Sequence, residues 1–123
     1  MSSDIRPIVY LGSSKKDLKK LPLSVKEIFM HGLHTASIGK NPIGSKVLKG
    51  FGGRSVVELI EDHRSDTYRA VYTVKFKEVV YVLHVFKKKS TKGISTPKKD
   101  KELIEKRLKY AVSLHKDYLN RRS

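Results

Sequence analysis

Between Ser55 and Phe86 three strand-like runs follow one another with almost nothing between them, and this succession restricts the fold more than any other feature of the chain. Ser55 to Glu61 alternates imperfectly between apolar and polar residues, Thr67 to Phe76 is dominated by Tyr, Val and Ala, and Val79 to Phe86 is almost wholly apolar. The link around Lys77-Glu78 is too short for anything but a hairpin, so the last two runs are predicted to be antiparallel neighbours. His63 to Asp66 turns between the first two. Runs this apolar suit a sheet buried on both faces, and the rest of the chain must supply the covering layers.

Those layers are legible on either side. Ile5 to Leu11 reads as a first strand, closed by Gly12 and by Ser13-Ser14 as a helix cap. Lys15 to Leu21 forms a short helix that Pro22 stops or bends. A second helix is predicted from a capping box in Ser24-Val25-Lys26-Glu27, with Val25, Ile28, Phe29, Leu33 and Ala36 at helical spacing and Gly39 as its stop. Five glycines and Pro42 make Gly39 to Gly53 a loop carrying Lys46 and Lys49. After a basic loop from Lys87 to Ser95, Thr96 is expected to cap a long final helix with Pro97 at its first position. Its apolar stripe runs through Leu103, Ile104, Leu108, Ala111, Val112, His115, Tyr118 and Leu119. The predicted order is β-α-α-β-β-β-α. This is an α+β fold, a small antiparallel-rich twisted sheet with two N-terminal helices on one face and a long C-terminal helix, and 123 residues suit a single domain over 1–123.

Charge narrows the function. The chain has 27 Lys and Arg against 12 Asp and Glu, a net +15, which attracts polyanions such as RNA or DNA, or an acidic protein. With no cysteine there is no disulfide, thiolate metal site or cysteine nucleophile. Met1 to Pro7 carries no apolar run before Lys15, and no stretch of about 18 apolar residues occurs, so a cytoplasmic protein without membrane contact is expected. His31 and His34 could meet on one helix face, but no third ligand accompanies them, and neither a metal nor a cofactor is expected.

Arg69 is the sharpest anomaly, a guanidinium inside the apolar stretch Tyr68-Arg69-Ala70-Val71-Tyr72. A hairpin centred between Lys77 and Glu78 sets Arg69 opposite Phe86 and Val71 opposite His84, so Arg69 and His84 share a face. Arg69 reads either as an ion-paired residue, with Glu58 or Glu61, or as a fork for a substrate phosphate. Glu58 is a candidate general base and His84 a candidate acid or base, each weighed against a role on the rim or in the core. Lys87, Lys88 and Lys89 with Lys92, Lys98 and Lys99 form a basic run, and from Lys87 to Lys109 nine Lys and one Arg face three acids. Phosphate contact is the reading preferred for that run, and for Lys46 and Lys49. Tyr68, Tyr72, Tyr81 and Phe86 could stack bases, although aromatics on central strands more often fill cores. RNA brings its own nucleophile, the 2′-hydroxyl, so cleavage needs only orientation, a base and cations.

Three stretches together resemble a known family: Lys46-Val47-Leu48-Lys49-Gly50-Phe51-Gly52; Val57-Glu58-Leu59 with Tyr68-Arg69-Ala70-Val71-Tyr72-Thr73-Val74; and Val82 to Ser90, ending Phe86-Lys87-Lys88-Lys89-Ser90, with Ile94-Ser95-Thr96-Pro97. They are similar to the phage-derived HigB branch of the RelE-type toxins. The resemblance implies a RelE-like fold and cleavage of mRNA on the ribosome, in the 30S A site, by a toxin whose cognate antitoxin carries a helix-turn-helix domain. By that resemblance Arg69 contacts the scissile phosphate, and Lys89, or Lys88 if the strand end slips, supports transition-state charge. Glu58 and His84 fall where branches of the family place varying acid/base groups. The chain departs from the RelE branch in lacking its lysine pair on the second strand and an obvious tyrosine on the last helix. The residues also suit a non-catalytic binder of RNA or ribosomes, or an interaction domain for an acidic or amphipathic partner.

Overall fold

Tyr68 to Thr73 are buried without a break, the pattern of a strand covered on both faces rather than alternating between core and water. They belong to the central strand of a five-stranded sheet. The computed structural model of the chain describes residues 5–89 and 96–122. Its elements are β1 (Ile8–Tyr10), α1 (Ser14–Lys19), α2 (Leu23–Ser37), β2 (Ser45–Val47), β3 (Val56–His63), β4 (Asp66–Thr73), β5 (Val80–Lys89) and α3 (Lys98–Arg122). The sheet order is β1-β5-β4-β3-β2, with β1 parallel to β5 and every other pair antiparallel. The expected α+β class and the order of elements hold, with one strand added.

That strand is β2, inside the stretch read as a loop. Three residues between glycines leave no alternation to detect, and its edge position asks for little apolar content. The β3-β4 turn is tight: His63 pairs with Asp66, and Arg64 takes a left-handed φ of 59°. The β4-β5 link is looser than expected, because β4 stops at Thr73 and β5 starts at Val80.

Helices cover the two faces. α1 and α2 bring Leu18, Val25, Phe29, Leu33 and Ala36 onto Leu59, Tyr68, Ala70, Tyr72, Val80, Val82 and Val85. α3 sets Ile104 and Ala111, flanked by Leu108, Leu114 and Tyr118, against Val56, Val71, Tyr81 and Leu83. Each large buried side chain contributes about 1.5–3 kcal/mol, so these two layers dominate stability. The predicted capping box does not form. α2 starts two residues early, with Pro22 in the cap position accepting from the Lys26 amide at 2.9 Å. Ser24 is already helical there, and its Oγ lies 3.5 Å from His63 Nδ1. Among the described residues no helix is long and apolar enough to cross a membrane.

Candidate active site

Antiparallel pairing sorts side chains by face, because residues directly opposite one another point the same way. Lys46, Glu58, Val71 and His84 lie in one row across β2 to β5, and Ile60, Arg69 and Phe86 in the next. These rows face α3. The register places Arg69 opposite Phe86 and Val71 opposite His84, as the hairpin argument predicted, although a register shift between Val71 and Tyr72 intervenes before the turn. Above the shift Phe86 and His84 face α3. Below it Tyr81 and Leu83 do so, while Val82 and Val85 both turn to α2.

Glu58 and Arg69 are diagonal neighbours in these rows and form a buried ion pair, Arg69 Nη1 donating to Glu58 Oε2 at 2.9 Å. Only 3% of Glu58, 4% of Arg69, 5% of Thr96 and 7% of His84 is exposed. The Thr96 hydroxyl sits over the pair, 3.4 Å from both Arg69 Nη1 and Glu58 Oε2. A guanidinium this deep must be paired, and Glu58 supplies the charge. Thr96, expected to cap the last helix, is instead turned inward, and α3 begins at Lys98 with the Lys101 amide bonded to the Pro97 carbonyl at 3.0 Å.

His84 stacks on Phe86, ring centroids 4.4 Å apart. Its Nε2 lies 2.8 Å from Asp100 Oδ1 in the first turn of α3. The carboxylate selects the tautomer that carries the proton on Nε2 and leaves a lone pair on Nδ1. Nδ1 is buried with no hydrogen-bond partner among the described residues. Burial pushes the His84 pKa below the ordinary histidine value, partly offset by the bond to Asp100. The imidazole is therefore neutral near pH 7, a form able to accept a proton.

The cations separate into groups. Lys88 is paired with Thr67 in register and so shares Arg69's face, whereas Lys87 stands opposite Tyr68 on the face covered by α1 and α2, with Nζ 3.7 Å from Asp66 Oδ2. Lys87 therefore does not converge with Arg69. Lys89 ends β5 opposite Asp66, and Lys92 lies outside the described residues. Lys46, Lys49, Lys98 and Lys99 are exposed, Lys46 in the same row as Glu58 and Lys98 and Lys99 at the start of α3. Of the four aromatic residues considered for base stacking, Tyr68, Tyr72 and Tyr81 are core, and Phe86 is half-buried with its ring stacked on His84. Burial pushes the Tyr72 hydroxyl up to about 12.

Residues that sequence reasoning passed over complete the polar framework. Asp100 orients His84. Arg107 on α3 donates to the Leu83 carbonyl at 2.9 Å. His115, assigned to an apolar stripe, joins Glu78 and Tyr81: its Nε2 is 2.8 Å from Glu78 Oε1 and its Nδ1 2.9 Å from the Tyr81 hydroxyl. That bond holds the Glu78 carboxyl below its usual range. Asp100 had a signal in the sequence, as the first acid after a long lysine-rich stretch. Among the described residues no three acidic or histidine side chains gather as a metal site would require.

Taken together, these features define a small, strongly basic α+β domain with a central-strand arginine held beside acid and histidine partners under the start of its last helix. The model of the family described as phage-derived protein Gp49-like (DUF891) matches residues 16–109. The chain belongs to that family, which is associated with toxin-like proteins of phage origin. No curated protein and no solved structure matches it.

Proposed function

We propose that the chain is the toxin of a type II toxin-antitoxin pair, a RelE-like, HigB-type endoribonuclease that cuts mRNA in the ribosomal 30S A site, and that a cognate antitoxin holds it in check. The observation that carries this reading is the grouping of Arg69, Glu58 and His84 on one face of the sheet, beside the strand end bearing Lys88 and the exposed Lys98 and Lys99. A phosphate of the message competes with Glu58 for the Arg69 guanidinium. Glu58, released, or His84 through Nδ1 takes the 2′-hydroxyl proton. The 2′-oxygen bonds to phosphorus as the P–O5′ bond breaks, leaving a 2′,3′-cyclic phosphate, and the departing 5′-oxygen takes a proton from water. The cations stabilise the charge that builds on the phosphorane oxygens. No step draws on a metal, because the attacking oxygen belongs to the RNA. DNA lacks that oxygen and is not cut.

Primer extension on translated mRNA tests the assignment. Wild type gives ribosome-dependent cuts at codon spacing, and Arg69→Ala lowers cutting at least a hundredfold. Cutting that survives in a folded Arg69 variant removes Arg69 from the chemistry. One observation favours a second reading, a non-catalytic binder of RNA or ribosomes: the Arg69 guanidinium is buried and already paired inside the protein. That reading predicts salt-sensitive binding with transcripts left intact at every protein concentration.

A further inference from the structure

The groove between α2 and the β2-β3 edge departs from the rest of the surface in its charge. Its volume is about 750 Å³, and none of its fourteen lining residues is Lys or Arg, although those two types make up 27 of the 123 residues of the chain. Two carboxylates, Glu27 on α2 and Glu61 on β3, line it instead, and neither has an ion-pair partner among the described residues. The walls are apolar. Phe29 and Leu59 are buried at the base, while Ile28 is about half exposed and Ile43 wholly so. Covering either isoleucine would remove apolar surface from water, a favourable term in association.

The backbone beside the groove is also incomplete. β2 pairs only with Val57–Leu59, and no described strand pairs with the outer side of β3 from Ile60 to His63. An unpaired edge of this kind is a template for an added strand, with main-chain bonds giving affinity and alternate side chains giving selectivity.

We infer that this groove docks an extended segment of a partner protein, laid as a strand beside Ile60–His63, with apolar side chains against Ile28 and Ile43 and Lys or Arg side chains against Glu27 and Glu61. Nucleic acid does not fit here, since its phosphates would meet two carboxylates while the lysine-rich surfaces lie elsewhere. A second copy of the chain is also disfavoured, because each copy carries +15 and the pair would repel. The inference is independent of the ribonuclease reading. The groove lies on the α2 side of the sheet and the Arg69 cluster on the α3 side, so either can fail alone.

Nuclear magnetic resonance titration of the ¹⁵N-labelled chain at physiological salt tests it, with two acetylated and amidated heptapeptide probes, one alternating Lys and Ile and the other Glu and Ile. The lysine peptide is expected to shift the amide signals of Ile60–His63 together with those of Ile28 and Gly32. Its affinity should fall at least tenfold in a Glu27→Lys/Glu61→Lys double variant and in Ile43→Asp, which alters a fully exposed side chain and leaves the spectrum of a folded protein. The proposal is overturned if the lysine peptide leaves these amides unmoved, if charge reversal leaves its affinity unchanged, or if the glutamate peptide binds the same amides equally well.

Discussion

Removing one member of the Glu58–Arg69 pair should destabilise the protein far more than removing both. The two side chains meet at 2.9 Å, each with only 4% of its side chain exposed, so neither charge can recover its hydration when its partner is lost. Breaking a buried pair from one side costs about 3–5 kcal/mol, whereas replacing both partners with apolar groups of similar volume is often neutral. A domain of this size has roughly 5–15 kcal/mol in all. Arg69→Met and Glu58→Leu should therefore each lower the melting temperature by roughly 10–20 °C. The double variant should return most of that loss, less about 1 kcal/mol for the Thr96 hydroxyl that loses both neighbours.

The assay is urea unfolding of the four proteins, combined as a double-mutant cycle. A coupling energy above about 3 kcal/mol supports the argument. Two small single effects, or a double effect equal to the sum of the singles, would refute it, since either result means the charges are hydrated or separately satisfied. The cycle also serves the functional question. A double variant that folds as well as wild type but cuts no RNA has lost chemistry rather than structure, a distinction Arg69→Ala alone does not give.

His84 predicts a pH dependence. Its folded pKa lies below the ordinary histidine value of 6.5, so the unfolded chain takes up the proton first; stability present above about pH 6.5 is lost as the pH falls through that value and on to the folded pKa. Urea midpoints measured from pH 8 to pH 5 should drop more steeply in wild type than in His84→Gln, and equal slopes would contradict the shift. Tyr81→Phe leaves His115 Nδ1 buried without its donor at 2.9 Å, and a loss of about 1–3 kcal/mol in urea unfolding is expected. Gly12→Ala places a Cβ 2.5 Å from Arg107 Nη2 at a left-handed φ of 55°. It should cost about 1–2 kcal/mol, and a thermal melt unchanged within a degree would show that Arg107 moves aside freely.

Much of this arrangement can be read from the residues, and the limits are physical. The strands β3 to β5 and the helices α2 and α3 follow from runs long enough to show a pattern, and α1 from the stop at Pro22, whereas three-residue β2 shows none. Arg69 announced a need for a partner, with Glu58 and Glu61 as the choices. These acids are three apart and fall on opposite faces of β3; the tight turn at Arg64-Ser65 fixes a register that puts Glu58 on Arg69's side and Glu61 opposite Tyr68. The bond from His84 to Asp100 crosses from a strand to a separate helix. Nothing local specifies it, because it depends on how α3 settles on the sheet. The same docking turns Thr96 inward over Arg69.

The position of His84 rests on a single extra residue. Below the register shift the paired positions are Thr73 with Tyr81 and Tyr72 with Val82, and above it Val71 with His84, so Leu83 is the inserted residue of a bulge. Without it, strict alternation from Tyr81 and Leu83 would carry Val85 toward α3 and His84 into the apolar layer under α1 and α2. There its ring nitrogens would face a layer dominated by Leu, Val, Phe and Ala side chains, where a polar group left without a partner costs a few kcal/mol. With the bulge, Leu83 and His84 both face α3. The Leu83 carbonyl accepts from Arg107 Nη1 and His84 reaches Asp100. One α-helix thus makes use of both consequences of the bulge, the redirected carbonyl and the reversed side chain. The local irregularity and the docking of α3 stabilise each other, and together they set an imidazole beside the arginine of the neighbouring strand.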